Sequence, residues 1–162
     1  MIDFNQKRLA NLEENIFDAT WLDNDKLIYS ISDSENNKST IYKISTNSQN
    51  KEKLTDIDTS STFLQVSPDK NMVIIYSEQE GYGQNEIYVF NIPNNKLSEV
   101  SEKGIIGGEW TPDSKQFITN KFNNSGVITD LLIFDSNHLD KKNTQLKTNI
   151  NKTIWISNNQ LI

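Results

Sequence analysis

Few residues in this sequence have types and spacings suited to chemistry, and they are scattered. His138 is the only histidine. It sits in Ser136-Asn137-His138-Leu139-Asp140, with no second histidine at metal-ligand spacing, and reads as an exposed loop residue. The absence of cysteine excludes disulfides, thiolate metal sites and thiol nucleophiles together. The chain has no Gly-Xaa-Ser-Xaa-Gly elbow and no phosphate-cradling glycine loop. Asp18 stands three residues before Trp21 and Glu109 one before Trp110, so the two carboxylates do not form an acid/base pair at equivalent positions. Asp23-Asn24-Asp25 and Asp33-Ser34-Glu35-Asn36-Asn37 are oxygen-rich, but they lack the spacing of a calcium loop with its central glycine and closing glutamate, and read as turns. The expectation is a chain with no catalytic residue, no metal site and no cofactor.

Recognition is the chemistry that remains. Glu78-Gln79-Glu80-Gly81-Tyr82-Gly83-Gln84 holds an aromatic between two glycines in an acidic loop, and Lys121-Phe122-Asn123 holds another. Aromatics on loops carried by a rigid scaffold are common binding anchors, so Glu78, Glu80, Tyr82 and Phe122 are the candidate partner-binding residues. The partner is expected to be a protein or peptide. With 16 basic against 22 acidic residues and a net charge of −6, most of the surface repels phosphate, which argues against nucleic acid. No apolar run approaches the roughly 18 residues of a membrane span, so no membrane insertion is expected, and the first residues lack a signal-peptide pattern.

These loops need a frame, and the sequence supplies one by repetition. The 162 residues suit one domain. Trp21-Leu22-Asp23, Val66-Ser67-Pro68-Asp69, Trp110-Thr111-Pro112-Asp113 and Trp155-Ile156-Ser157-Asn158 stand in register at intervals of 45, 44 and 45 residues. After each of the first three comes an apolar run (Lys26 to Ser30, Met72 to Ser77, Gln116 to Asn120) and then a polar loop. A second run follows (Thr40 to Ser45, Glu86 to Asn91, Asp130 to Asp135), and a short close at Leu54, Leu97 and Leu146. A further copy of the close, Lys7-Arg8-Leu9, precedes the first unit. Short β-branched and aromatic runs between Asn, Asp, Ser, Gly and Pro clusters are strands, and no helical period competes with them. Each unit is a four-stranded antiparallel meander, and a meander repeated at this period is the blade of a β-propeller. The tryptophans Trp21, Trp110 and Trp155 are expected to be wedged between blades as core.

The repeat resembles that of TolB-like β-propellers, also called PD40 or WD40-like repeats. The likeness rests on Val66-Ser67-Pro68-Asp69-Lys70, Ile87-Tyr88-Val89 and Lys96-Leu97-Ser98 in the second unit and on Trp110-Thr111-Pro112-Asp113-Ser114 in the third. The first unit keeps Trp21 but has Leu22-Asp23-Asn24-Asp25 without proline. In the turn, proline presets φ and the aspartate caps backbone amides, so Pro68, Asp69, Pro112 and Asp113 are structural repeat residues. The resemblance implies a bacterial repeat protein of the cell envelope or exterior.

The units fall at about 16–55, 62–100 and 106–148, with 7–12 as an outer strand and 152–162 as the start of a further blade. The expected architecture is all-β: an incomplete or fragmentary ring of about three complete blades plus a partial one. Its expected function is a non-catalytic scaffold that binds a protein or peptide through its loop face. The alternatives are the N-terminal part of the propeller of a larger enzyme, such as a prolyl-oligopeptidase-like peptidase, and a polysaccharide-binding propeller. Ladder-forming strand edges at both ends of the blade array predict self-association.

Overall fold

A computed structural model describes residues 15–46, 50–77, 85–100, 102–147, 155–158 and 160–161. The described residues form strands and turns with no helix. The first sheet runs β1 (Ile16–Trp21), β2 (Lys26–Asp33), β3 (Lys38–Ser45) and β4 (Lys51–Ile57). In the second are β5 (Thr62–Val66), β6 (Met72–Ser77), β7 (Glu86–Asn91) and β8 (Lys96–Glu99). The third contains β9 (Ile105–Trp110), β10 (Gln116–Phe122), β11 (Ile128–Asp135) and β12 (His138–Lys147). A two-stranded sheet follows, β13 (Trp155–Ser157) with β14 (Gln160–Leu161). Each four-stranded sheet is an antiparallel meander in sequence order. These are propeller blades.

Strand alternation sends the two faces of each blade into different cores. In β6, Val73 and Ile75 join Leu22, Ile28 and Ile41 of the first blade in one cluster. Met72 and Ile74 join Trp110, Phe117 and Phe134 of the third in another. The second blade is thus buried on both faces, and its β6 is correspondingly an almost unbroken apolar run. Burying each such Ile or Phe fully contributes about 1.5–3 kcal/mol.

The Pro-Asp turns end the inner strands by a geometry that occurs twice. Lys70 N–H donates to Ser67 O and Ser114 N–H to Thr111 O, both at 2.9 Å. Both Lys70 and Ser114 have positive φ, at 65° and 63°. Asp69 Oδ1 accepts from Ser67 Oγ and Asn71 N–H, and Asp113 Oδ1 from Thr111 Oγ1 and Lys115 N–H. The first blade does without proline: Asp23 Oδ1 accepts from Asp25 N–H and its other oxygen pairs with Lys26 Nζ at 3.0 Å. The turns are also stapled to one another. Asp69 N–H donates to Ser114 Oγ at 2.9 Å and Asp113 N–H to Asn158 Oδ1 at 3.0 Å, each across 45 residues.

Three expectations need comment. Trp110 is buried at 5% exposure, but Trp21 is 56% exposed. The difference follows from direction: the tryptophan position of a blade faces the preceding blade, and no described residue precedes β1 as one. The side chain of Trp155 and the strand expected near Leu9 lie outside the described residues. His138 belongs to strand rather than to a loop: it opens β12 opposite Asp135, because that turn is tight.

Candidate functional site

Antiparallel order places two kinds of connection on one rim: the links from each second strand to the third, and the links from one blade to the next. Of the candidate residues on this rim, Glu78, Glu80 and Tyr82 lie outside the described residues. Phe122 ends β10 half-buried, with its N–H donating to Gly104 O at 2.9 Å.

Other apolar groups at the same rim are brought together by the fold. In β1, Ile16 faces Ile31 and Asp18 faces Ser30, so Phe17 is the extra residue of a bulge. A bulge re-aims a side chain. Phe17 meets Phe63 edge-on at 5.1 Å between ring centroids, and Phe63 stacks on its cross-strand partner Tyr76 at 4.8 Å. Phe17 remains 39% exposed. It lines a depression of about 540 Å³ together with Ile16 and Ile31, and Asp33 and Glu35 stand on its wall. Hydrogen bonds from the Asn36 side chain and N–H hold the Asp33 carboxyl below its usual range. Lys38 sits opposite Asp33 in the ladder.

The third blade offers a separate apolar tip. Asn123 Oδ1 accepts from the N–H groups of Ser125 and Val127, and Asn123 N–H donates to Val127 O. This turn presents Val127 at 56% exposure. Between these tips run charged pairs. Glu86 takes Lys103 and the Tyr88 hydroxyl, the latter at 2.6 Å, and Lys121 pairs with Glu102. Burial pushes Glu86 up, but Lys103 and Tyr88 outweigh it and hold the carboxyl low. Burial, and then the Glu86 carboxylate, push the Tyr88 phenol up.

Sequence reasoning identified this rim but not Phe17, Phe63, Tyr76 or Val127. Tyr76 reads as a strand residue, and at Phe17 only the ladder offset reveals the bulge. The other titratable candidates have structural partners. Asp18 Oδ2 accepts the N–H of Leu64 at 2.8 Å, and His138 Nδ1 lies 3.4 Å from Asp135 with its side chain largely exposed. Among the described residues, no group of three or more acidic, His or Cys side chains is placed to hold a metal ion. Nor is any helix there long and apolar enough to cross a membrane.

No protein-family model matches the chain, and no curated protein matches it in sequence. Its fold is similar to solved β-propellers. The propeller domain of the Trilobed protease from Pyrococcus furiosus aligns with TM-score 0.65 and 17% identity, over 87% of this chain and 45% of that one. An uncharacterised protein of Listeria monocytogenes EGD-e aligns with TM-score 0.68 and 14% identity, over 91% and 44%. TolB from Acinetobacter baumannii aligns with TM-score 0.52 and 18% identity, over 70% and 28%. The chain thus spans less than half the length of each of these structures.

Proposed function

We propose that this chain is a propeller scaffold that binds a protein or peptide segment through its loop rim and performs no chemistry of its own. The observation that carries the reading is the depression beside Phe17. It has an apolar floor of Ile16, Phe17 and Ile31 under two carboxylates, Asp33 and Glu35, with one ammonium nearby, Lys38. That combination suits an extended segment bearing an apolar and a basic side chain: the ring supplies contact area and the carboxylates supply orientation. The titratable groups that might have been catalytic are engaged elsewhere, Asp18 with a backbone amide and His138 with Asp135.

Selection of peptides from a random display library against the immobilised chain tests this. Phe17→Ser and Asp33→Asn should each weaken the selected peptides by about tenfold or more, as loss of an anchor does. Peptides that bind equally well to both variants, or a chain that hydrolyses peptide or ester substrates, would refute the reading. A second reading, the propeller part of a larger peptidase, is supported by the likeness to the Trilobed protease propeller. A hydrolase domain encoded in continuation of this chain would favour it.

A further inference from the structure

The seam between the second and third blades leaves a crevice at its outer end, and one cross-strand row explains why. In the first blade the row that faces the next blade runs Ile28, Lys43, Glu52, and its outer half is filled by the Lys43–Glu52 ion pair at 2.7 Å. In the second blade the matching row runs Ile74, Val89, Ser98, so a valine and a serine stand where two long side chains stood. The row beside it, Met72, Asn91 and Lys96, borders the same space. The crevice measures about 390 Å³, within the roughly 300–1,000 Å³ of small-molecule sites. Met72, Val89 and Leu139 form an apolar floor that belongs to the core shared by the two blades. The turn from β11 to β12 supplies the facing wall.

The walls carry hydrogen-bonding groups that the protein itself leaves open. Ser136 is only 7% exposed, and its N–H donates to Lys115 O at 2.9 Å, but its Oγ has no partner among the described residues. Asn137 N–H donates to Asp135 Oδ1 at 2.8 Å, and the Asn137 side-chain amide is unbonded there. Asn91 Oδ1 accepts from Asn94 N–H at 3.1 Å, which leaves the Asn91 NH2 group open. On the second blade, Ser98 Oγ and the Lys96 ammonium likewise have no partner among the described residues. A buried hydroxyl without a partner costs stability, and a ligand that pairs with it recovers that cost.

We propose that this crevice between the second and third blades holds the pyranose ring of a neutral saccharide. Hydroxyls and primary amides both donate and accept, which matches the neighbouring hydroxyls of a sugar, while the floor of Met72, Val89 and Leu139 suits the C–H face of its ring. Charge narrows the class. Two carboxylates, Glu99 and Asp140, flank the crevice against one ammonium, Lys96, which disfavours uronates and phosphates. An extended peptide fits less well, because strand addition pairs backbone groups and the open groups here are on side chains. The crevice lies on the rim opposite the depression beside Phe17, so this inference does not depend on what that rim binds.

Titration of the isotopically labelled 162-residue chain, followed by NMR, tests this. The probes are glucose, galactose, mannose, N-acetylglucosamine, cellobiose and chitobiose, with glucuronate as the charged control. At least one neutral sugar should shift the backbone amides of Ser98 and Asn137 and the side-chain amide of Asn91 saturably, and leave Phe17 and Asp33 in place. Tighter binding of a disaccharide than of its monomer supports the proposal with a glycan chain as the source, and equal binding supports it with a free sugar. Asn137→Leu and Ser98→Leu should each weaken binding by about tenfold or more, as loss of hydrogen bonds to a ligand does. Asn137 is exposed and Ser98 half-buried, so both variants should keep the spectrum of the folded chain elsewhere. Absence of any saturable shift at tens of millimolar sugar overturns the proposal. So do shifts that persist undiminished in both variants, a preference for glucuronate over glucose, or peptides that occupy these amides where no sugar does.

Discussion

The indole N–H of Trp110 donates to the backbone carbonyl of Gln65 at 3.2 Å, 45 residues away, across the seam between the second and third blades. The ring itself stands edge-on to Phe117 at 5.3 Å. One side chain thus ties the two blades by a hydrogen bond and fills the core between two sheets. Trp110→Ala should destabilise the protein by about 3–5 kcal/mol through the cavity and the lost burial. Trp110→Phe keeps most of the packing and removes only the bond to Gln65 O, so it should cost less, about 0.5–1.5 kcal/mol. Urea unfolding of the two variants checks the order. Equal losses would mean that the hydrogen bond has no part in the seam.

A carboxylate does comparable work at the first seam. Asp18 Oδ2 accepts the N–H of Leu64 at 2.8 Å, and Oδ1 accepts that of Ala19. The Leu64 amide belongs to an inner strand with no ladder neighbour on that side. Asp18→Ala should cost about 1–3 kcal/mol by stranding a partly buried donor, and Asp18→Asn, which retains an acceptor oxygen, should recover part of that loss. Thermal melts of the two variants measure the difference.

The fold was legible because its signal is periodic. Intervals of 44 and 45 residues among Trp21, Val66, Trp110 and Trp155, with period-2 runs between them, leave little architecture but blades. The Pro-Asp turns were equally readable, since Pro68 and Asp69 set a local geometry that needs no distant partner. The rim was less legible, for reasons that are physical. Phe17 points where it does because one residue is inserted relative to Ile31 and Ser30, and a bulge leaves no mark in residue types. Trp21 looks identical to Trp110 in sequence, yet its burial depends on a neighbouring blade rather than on its own strand. The seam partners are similar: nothing in Asp18 or Leu64 alone announces a bond between residues 46 apart.

The paired glycines of β9 should respond oppositely in kind. Gly107 has φ 75° and open space where a Cβ would stand. Gly108 is backbone-permissive, but an added Cβ would lie 3.0 Å from Ile74 Cδ1 and 3.1 Å from its Cγ2. Gly107→Ala should therefore cost about 1–2 kcal/mol from the left-handed backbone alone. Gly108→Ala should cost about 1–3 kcal/mol by overpacking. Trimming the neighbour by Ile74→Val removes the Cδ1 contact but keeps Cγ2, so it should relieve part of the second cost and leave the first untouched. A double-mutant cycle reads the coupling: zero coupling for Gly108 with Ile74 would show that the contact does not limit packing there.

Glu86 gives the pH dependence its sign. Burial raises its pKa, but Lys103 and the Tyr88 hydroxyl prevail, so the folded carboxyl titrates below its ordinary 4.5. A depressed carboxylate contributes stability that is fully present above the unfolded value and is lost as pH falls through the folded one. Lys103 has the opposite sense. The bond with Glu86 raises its pKa above 10.5, so its share is complete below that value and is lost as pH rises through the folded one. Glu86→Gln should therefore be less stable than the parent at pH 7, and the gap should narrow as the pH is lowered from 5 toward 3. Lys103→Met should show a gap that narrows at both extremes, in acid as Glu86 gains its proton and above about pH 10.5 as Lys103 loses its own. Denaturant unfolding at stepped pH measures both. If the Glu86→Gln deficit stays constant down to pH 3, the low carboxyl of Glu86 is not what Lys103 and Tyr88 sustain.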